Sequence, residues 1–204
     1  MAGKAELVGE NLAISLKMLH DVTSVLEKAK VPYWLEGGTL LGIVREQRLL
    51  PWDNDMDLSL DKQYQGRVLR LLWRLALKGY RVSVKYYRQD MSPFRKREVR
   101  IIKIRNYVSF LKRGDAVLDV FLKRRVKDDF FWTVGDKNPV LKSSPAPFGT
   151  QLSTVAFNGK DYSIPADFDG YLTFRYGDWN KPVKTWDFKK DDLAIVAPDS
   201  KETT

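Results

Sequence analysis

Residues 37–60 read GGTLLGIVREQRLLPWDNDMDLSL, and the second half of this stretch changes period. In residues 53–60, Asp53, Asp55, Asp57 and Ser59 alternate with Met56, Leu58 and Leu60. Residues two apart on a strand point the same way. The spacing therefore predicts a strand with one face in an apolar core and three carboxylates on the other. The first half has helical spacing over residues 39–46 (TLLGIVRE), and Leu50, Pro51 and Trp52 read as a turn. Gly37 and Gly38 close a preceding strand and open this helix. Such a turn presents backbone N–H groups and a helix N-terminus, a combination suited to phosphate, with Thr39 able to add a hydroxyl.

Working outward, residues 31–35 (VPYWL) form a short apolar run consistent with a buried strand, broken by Glu36. Residues 7–29 read as an amphipathic helix through Val8, Leu12, Leu16, Leu19, Val22 and Leu26, with His20 beside the stripe as a structural or surface residue. Residues 61–78 return to helical spacing through Tyr64, Val68, Leu71, Leu72 and Leu75, and Gly79 is placed to cap them. Residues 80–88 and 98–106 read as strands, and residues 116–122 (AVLDVFL) as an apolar strand carrying one charge, Asp119. Asn158-Gly159 marks a hairpin over residues 155–164. Residues 168–175 read as a short helix followed by Tyr176-Gly177-Asp178-Trp179. Residues 1–186 are expected to form one domain, and residues 187–204 a charged, loosely held tail.

The carboxylates suggest the chemistry. Asp55 and Asp57 on one strand face would have alpha carbons about 7 Å apart. Two such groups repel, and burying either without a partner is costly. A divalent cation resolves the conflict and can neutralise charge developing on a transferred phosphoryl group. If the Asp119 strand lies beside the Asp57 strand, Asp119 completes a three-carboxylate cluster. The alternative is an ion pair of Asp119 with Lys103 or Arg105.

Composition narrows the classes. The 204 residues include no cysteine and one histidine, which excludes disulfides, thiolate sites and a zinc site built on several histidines. Any metal must sit on carboxylates, which favours Mg²⁺ or Mn²⁺. A net charge of +9 points to an anionic partner (a nucleotide, nucleic acid, an anionic glycan or an acidic membrane surface) or to a solvated basic face. The basic segments 95–97 and 123–125 lack a nucleic-acid motif or an interleaved aromatic platform, so nucleic acid is not the favoured partner. No apolar run is long enough to span a bilayer, and residues 1–16 lack a secretory pattern. The expectation is a cytoplasmic protein, with a peripheral position at a membrane allowed and a lumenal one open if a targeting segment has been removed.

Taken in order, these motifs resemble the LicD and fukutin family of the nucleotidyltransferase-like (polymerase-β-like) superfamily. The matching positions are Gly38, Thr39, Leu40, Leu41, Gly42, Arg45, Pro51, Trp52, Asp53, Asp55 and Asp57, then LDVF with Asp119, then the ending FNGKDYSIPADFDGYLTFRYGDWNKP. The resemblance runs from about Val31 to Pro182. It implies an α+β fold with a mixed central sheet flanked by helices. It further implies transfer of a phosphorylated small group, phosphocholine or an alditol phosphate, from a CDP-linked donor to a glycan or glycolipid hydroxyl, with release of CMP. By the same resemblance Asp55 and Asp57 hold Mg²⁺ (or Mn²⁺), and Asp119 is a further ligand or the general base. Asp53 orients the site or the acceptor. Gly37, Gly38, Thr39 and Arg45 face the donor phosphates, although Arg45 also suits a surface salt bridge. Tyr176 and Trp179 close the site or pack the C-terminal part on the core. The alternative reaction moves NMP from an NTP to a small molecule, protein or RNA and releases pyrophosphate. The same carboxylates serve both.

Overall fold

The computed structural model describes residues 6–107, 113–135, 138–183 and 186–196. Helix α1 (Gly9–Lys28) is followed by strand β1 (Trp34–Glu36), helix α2 (Gly37–Glu46) and strand β2 (Met56–Asp61). A 3₁₀ turn (Lys62–Tyr64) leads into the short helices α3 (Gln65–Leu69) and α4 (Leu72–Leu77), then β3 (Tyr80–Tyr86) and β4 (Val99–Tyr107). The long strand β5 (Arg113–Val126) continues into β6 (Asp129–Val134) and β7 (Val140–Pro145), and after a short helix α5 (Pro147–Thr150) the hairpin β8 (Leu152–Phe157) and β9 (Lys160–Pro165) precedes helix α6 (Phe168–Tyr176).

The result is an α+β protein with a mixed central sheet and flanking helices. The sheet runs β1-β2-β5-β4-β3, and β6 and β7 extend it from the far end of β5. Among the described residues β2 and β5 pair in parallel, and the other pairs of this sheet are antiparallel. Met56, Leu58 and Leu60 of β2 and Ala116, Leu118 and Leu122 of β5 are buried at 1% exposure or less, so these two strands form the middle of the core. Helix α1 supplies Met18, Leu19, Val22 and Leu26 to that core. The Asn158-Gly159 turn has both residues at positive φ (47° and 76°), the geometry that a two-residue hairpin demands.

The structure departs from the sequence reading in five places. The first strand is Trp34–Glu36 rather than residues 31–35, because Glu36 is paired in the sheet and buried instead of ending it. Strand β2 begins at Met56, so Asp53 and Asp55 precede it and only Asp57 and Ser59 lie in it. The helix expected over residues 61–78 is a 3₁₀ turn and two short helices. Val68, Leu71 and Leu75 are nevertheless buried, which is what the pattern reported. The β6–β7 hairpin was not expected.

The fifth departure concerns the tail. Residues 187–196 are held rather than loose: the Ser143 and Val196 backbone N–H groups donate to Ala194 and Leu141 carbonyls at 2.9 and 3.1 Å, and Asp192 is 2% exposed. Residues 197–204 lie outside the described residues. The anchor is electrostatic. Both carboxylate oxygens of Asp192 accept from Arg175, at 2.8 and 2.6 Å, and Oδ2 also accepts from Lys142. Removing one partner of a buried ion pair strands the others, at a cost of about 3–5 kcal/mol. Asp192→Ala is expected to lower unfolding stability by that amount in urea denaturation, and an unchanged midpoint would show that the tail contributes nothing to the fold.

Candidate active site

The sheet register builds the site. Across β1, β2, β5 and β4, Glu36 pairs with Asp57, Asp57 with Asp119 and Asp119 with Lys103. These four ionisable residues thus form one rung across the sheet, with side chains on one face. Asp55, just before β2, turns its carboxylate onto the same point. One carboxylate oxygen from each of Asp55, Asp57 and Asp119 lies within 4.8 Å of the other two. Asp119 does both things the sequence left open. It joins the cluster through one side of its carboxylate, and its Oδ2 accepts from Lys103 Nζ.

The Gly-Gly turn makes room for this cluster. Gly37 sits at φ +57°, and a Cβ there would stand 2.8 Å from Asp57 Oδ2. A Cβ on Gly38 would run into Asp53 Oδ2. Gly37 is thus favoured by its left-handed backbone, and a side chain at Gly38 would displace the Asp53 carboxylate. Thr39 does not face the cavity. It is buried, and its hydroxyl accepts the Asp57 backbone N–H at 2.8 Å, tying α2 to β2. Position 39 thus falls on the inner side of the helix, where its hydroxyl oxygen is engaged by β2.

A cavity of about 670 Å³ opens over the rung. Gly37, Gly38, Asp53, Asp55, Asp57, Asp119, Lys103 and Arg45 line it. Arg45 is a salt-bridge residue and a wall residue at once. Its Nη2 donates to Glu46 at 2.6 Å and its Nη1 to the Trp179 carbonyl at 3.0 Å. Tyr176 packs on Trp186, ring centres 4.9 Å apart, and the Trp179 indole donates to Asp169 at 3.1 Å; both residues line the cavity. So Asp53, Tyr176 and Trp179 all stand at the site, Trp179 as part of the core as well.

The sequence reading missed the ionic cluster behind this wall. Glu36 Oε2 accepts from Lys123 at 2.6 Å, Ser59 at 2.7 Å and Trp34 at 3.2 Å, and Oε1 accepts from Tyr171 at 2.6 Å and from Arg175. Burial would raise the Glu36 carboxyl, but Lys123 and Arg175 outweigh it and hold it well below the usual carboxylate range. Burial also pulls Lys123 down to about 8 against the opposing pull of Glu36. The one signal in the sequence was Lys123 itself, in period two with Asp119 along the same strand.

The catalytic candidates behave in the opposite way. Burial raises Asp55 to about 7, with the charges of Asp53 and Asp119 adding to it. Asp57 is pushed well above its ordinary value, first by burial and then by Asp55 and Asp119. Asp119 is raised by burial despite Lys103, and its Oδ1 is buried with no hydrogen-bond partner. A cluster that resists ionisation and leaves a carboxylate oxygen unpaired fits a hard divalent cation, for which Asp55, Asp57 and Asp119 supply oxygen ligands. The sign of the linkage follows. A carboxyl whose folded value is raised destabilises the fold as pH climbs from about 4 through its folded value. In EDTA at pH 8, Asp57→Asn is therefore expected to melt several degrees above wild type, with the gap closing toward pH 4; Mg²⁺ is expected to raise wild type only. A variant that melts lower under EDTA would show that the cluster is held by protein partners alone.

Comparison with known proteins agrees with this geometry. A family model described as the LicD/FKTN/FKRP nucleotidyltransferase domain matches residues 30–167. The chain is 26% identical over 176 residues to human ribitol-5-phosphate transferase FKTN, covering 85% of this chain and 35% of that protein. It is 35% identical over 175 residues to human ribitol 5-phosphate transferase FKRP, covering 76% of this chain and 30% of that one. Over 57 residues it is 35% identical to the lipopolysaccharide cholinephosphotransferase LicD of Haemophilus influenzae, covering 28% of this chain and 22% of that protein. The chain thus spans less than two thirds of the length of each of these relatives.

Proposed function

Because this chain belongs to the LicD/FKTN/FKRP nucleotidyltransferase-domain family, we propose that it transfers a phosphorylated small group, phosphocholine or an alditol phosphate such as ribitol phosphate, from a CDP-linked donor to a glycan or glycolipid hydroxyl. The observation that carries this reading is the rung of Asp57, Asp119 and Lys103 with Asp55 turned onto it, at the floor of a cavity entered by the α2 N-terminus. FKTN, FKRP and LicD are each named as transferases of a phosphorylated group, and this supports the reaction class.

In the proposed reaction the acceptor oxygen forms a bond to the distal phosphorus of the donor. The bond from that phosphorus to the bridging oxygen breaks, and CMP leaves with the bridging oxygen. The acceptor proton passes to a carboxylate oxygen of the cluster. Asp55, Asp57 and Asp119 would hold Mg²⁺ or Mn²⁺, which when bound neutralises charge on the diphosphate. Lys103 keeps Asp119 oriented from the opposite side. The N–H groups of the α2 first turn and the Arg45 edge of the cavity favour the donor's negative charge, and Asp53 braces the Gly38 turn. Tyr176 and Trp179 wall off the site and limit water. Most of the catalysis is positioning and electrostatics, so little covalent machinery is needed.

The test is product analysis with CDP-ribitol, CDP-glycerol, CDP-choline and CTP as donors, with Mg²⁺ and a glycan acceptor. The expected product is CMP from one CDP-linked donor. Asp55→Asn, Asp57→Asn and Asp119→Asn are expected to lower its release by at least about a hundredfold while the fold survives. Pyrophosphate from CTP or another NTP, with no CMP, would replace this reading by nucleotidyl transfer. Near-wild-type turnover in the three variants would remove the cluster from the mechanism.

A further inference from the structure

A second surface lies away from the cavity over the carboxylate cluster. Between Lys62 and Gln89 the chain holds eight Lys and Arg and no Asp or Glu, close to the whole net charge of +9. This segment includes α3 and α4. Their inner side is apolar and buried through Val68, Leu71 and Leu75. Their outer side carries Arg67, Arg70 and Arg74, all exposed, and between them Trp73 and Leu77 at 57% and 78% exposure. Arg70, Trp73, Arg74 and Leu77 follow the spacing of one helical face. The Arg74 guanidinium lies 5.5 Å from the centre of the Trp73 ring, alongside it rather than drawn away to a carboxylate. Asp21 of α1 and Glu98 reach this segment from outside and both are already engaged: Asp21 accepts from Lys17 at 2.6 Å, Lys78 at 2.8 Å and Tyr80 at 2.7 Å, and Glu98 accepts from Lys62 at 2.8 Å.

We propose that the outer face of α3 and α4 is a docking surface for an anionic phospholipid bilayer. The pattern is two-part, and a bilayer matches both parts. Arginines attract anionic headgroups across a Debye length of the surface. An indole and a leucine that protrude from the same face enter the boundary between headgroups and acyl chains, where Trp is favoured. The arginine stems lie along that boundary while their charges stay in the headgroup layer. A second copy of this chain fits poorly, because a symmetric contact would set the same arginines against one another. Single-stranded RNA would use the charge but leaves Leu77 without a partner, since bases stack on aromatic faces. No helix among the described residues is long and apolar enough to cross a membrane, so such attachment would be at the surface. The inference does not rest on the proposed reaction, and either can fail without the other.

The test is flotation of the full chain with vesicles of phosphatidylcholine alone or with about 30 mol% phosphatidylglycerol. Binding to the anionic vesicles, weakened by salt, is the expected result. Trp73→Ser with Leu77→Ser is expected to weaken it at least about tenfold, and so is Arg70→Glu with Arg74→Glu, both with an unchanged Tm because these side chains are exposed. Catalytic turnover of a soluble donor is expected to be the same in all three proteins. Equal flotation with neutral and anionic vesicles overturns the proposal, as does undiminished binding by the Trp73 and Leu77 variant. Absence of flotation together with tight binding to single-stranded RNA or to polyglutamate would also overturn it and assign the face to that polymer.

Discussion

The buried carboxylate of Glu36 is the point on which the rest of this structure hangs. It lies at the end of a three-residue strand, and its five hydrogen-bond donors come from Trp34, Ser59, Lys123, Tyr171 and Arg175. Those donors belong to β1, β2, β5 and α6, so one side chain ties the centre of the sheet to the last helix. Arg175 passes the constraint on to Asp192, and Asp192 to Lys142 on β7. Two carboxylates and three cations thus compensate one another out of water. A buried charge tolerates this only when its hydrogen bonds are complete. Here each carboxylate oxygen has a cationic partner, and the segment after α6 is folded back over the cavity.

The adjoining cluster is built on the reverse principle. Asp55, Asp57 and Asp119 are crowded together with a single lysine among them, and burial makes their charge unwelcome. One rung of the sheet holds both regimes: at Glu36 the charge is satisfied, and two strands away at Asp119 an oxygen is left without a partner. This is the pattern expected of a site whose stability is completed by a ligand.

Much of this was legible in the sequence because it is local. The D-x-D alternation, the Gly-Gly turn, the Asn-Gly hairpin and the lone Asp119 in an apolar run each follow from the spacing of neighbouring residues. Their meeting in space needed one further fact, that the Asp119 strand lies beside the Asp57 strand, and the register supplies it. What stayed hidden is what distant residues do to one another. Glu36 looked like the end of a strand because its counter-charges lie 87 and 139 residues further along the chain. Asp192 looked like part of a solvated tail for the same reason. The Gly-Gly turn suggests a hydroxyl at Thr39 for phosphate, while the sheet adds a contact that local spacing does not show, the Asp57 N–H donating to that hydroxyl.

Strand β5 carries Asp119 into the cluster and Lys123 into the Glu36 network, so both regimes are clamped by one stretch of backbone. Side chains alternate along a strand, and the two residues share a face only while an odd number of positions separates them. A single residue gained or lost between them would swing one of the pair to the opposite side of the sheet. Natural variation here should therefore exchange the intervening side chains only among apolar residues that still fill the core, and leave the interval untouched. The length of Asp-x-x-x-Lys, filled by apolar side chains, is the heritable ruler of this fold.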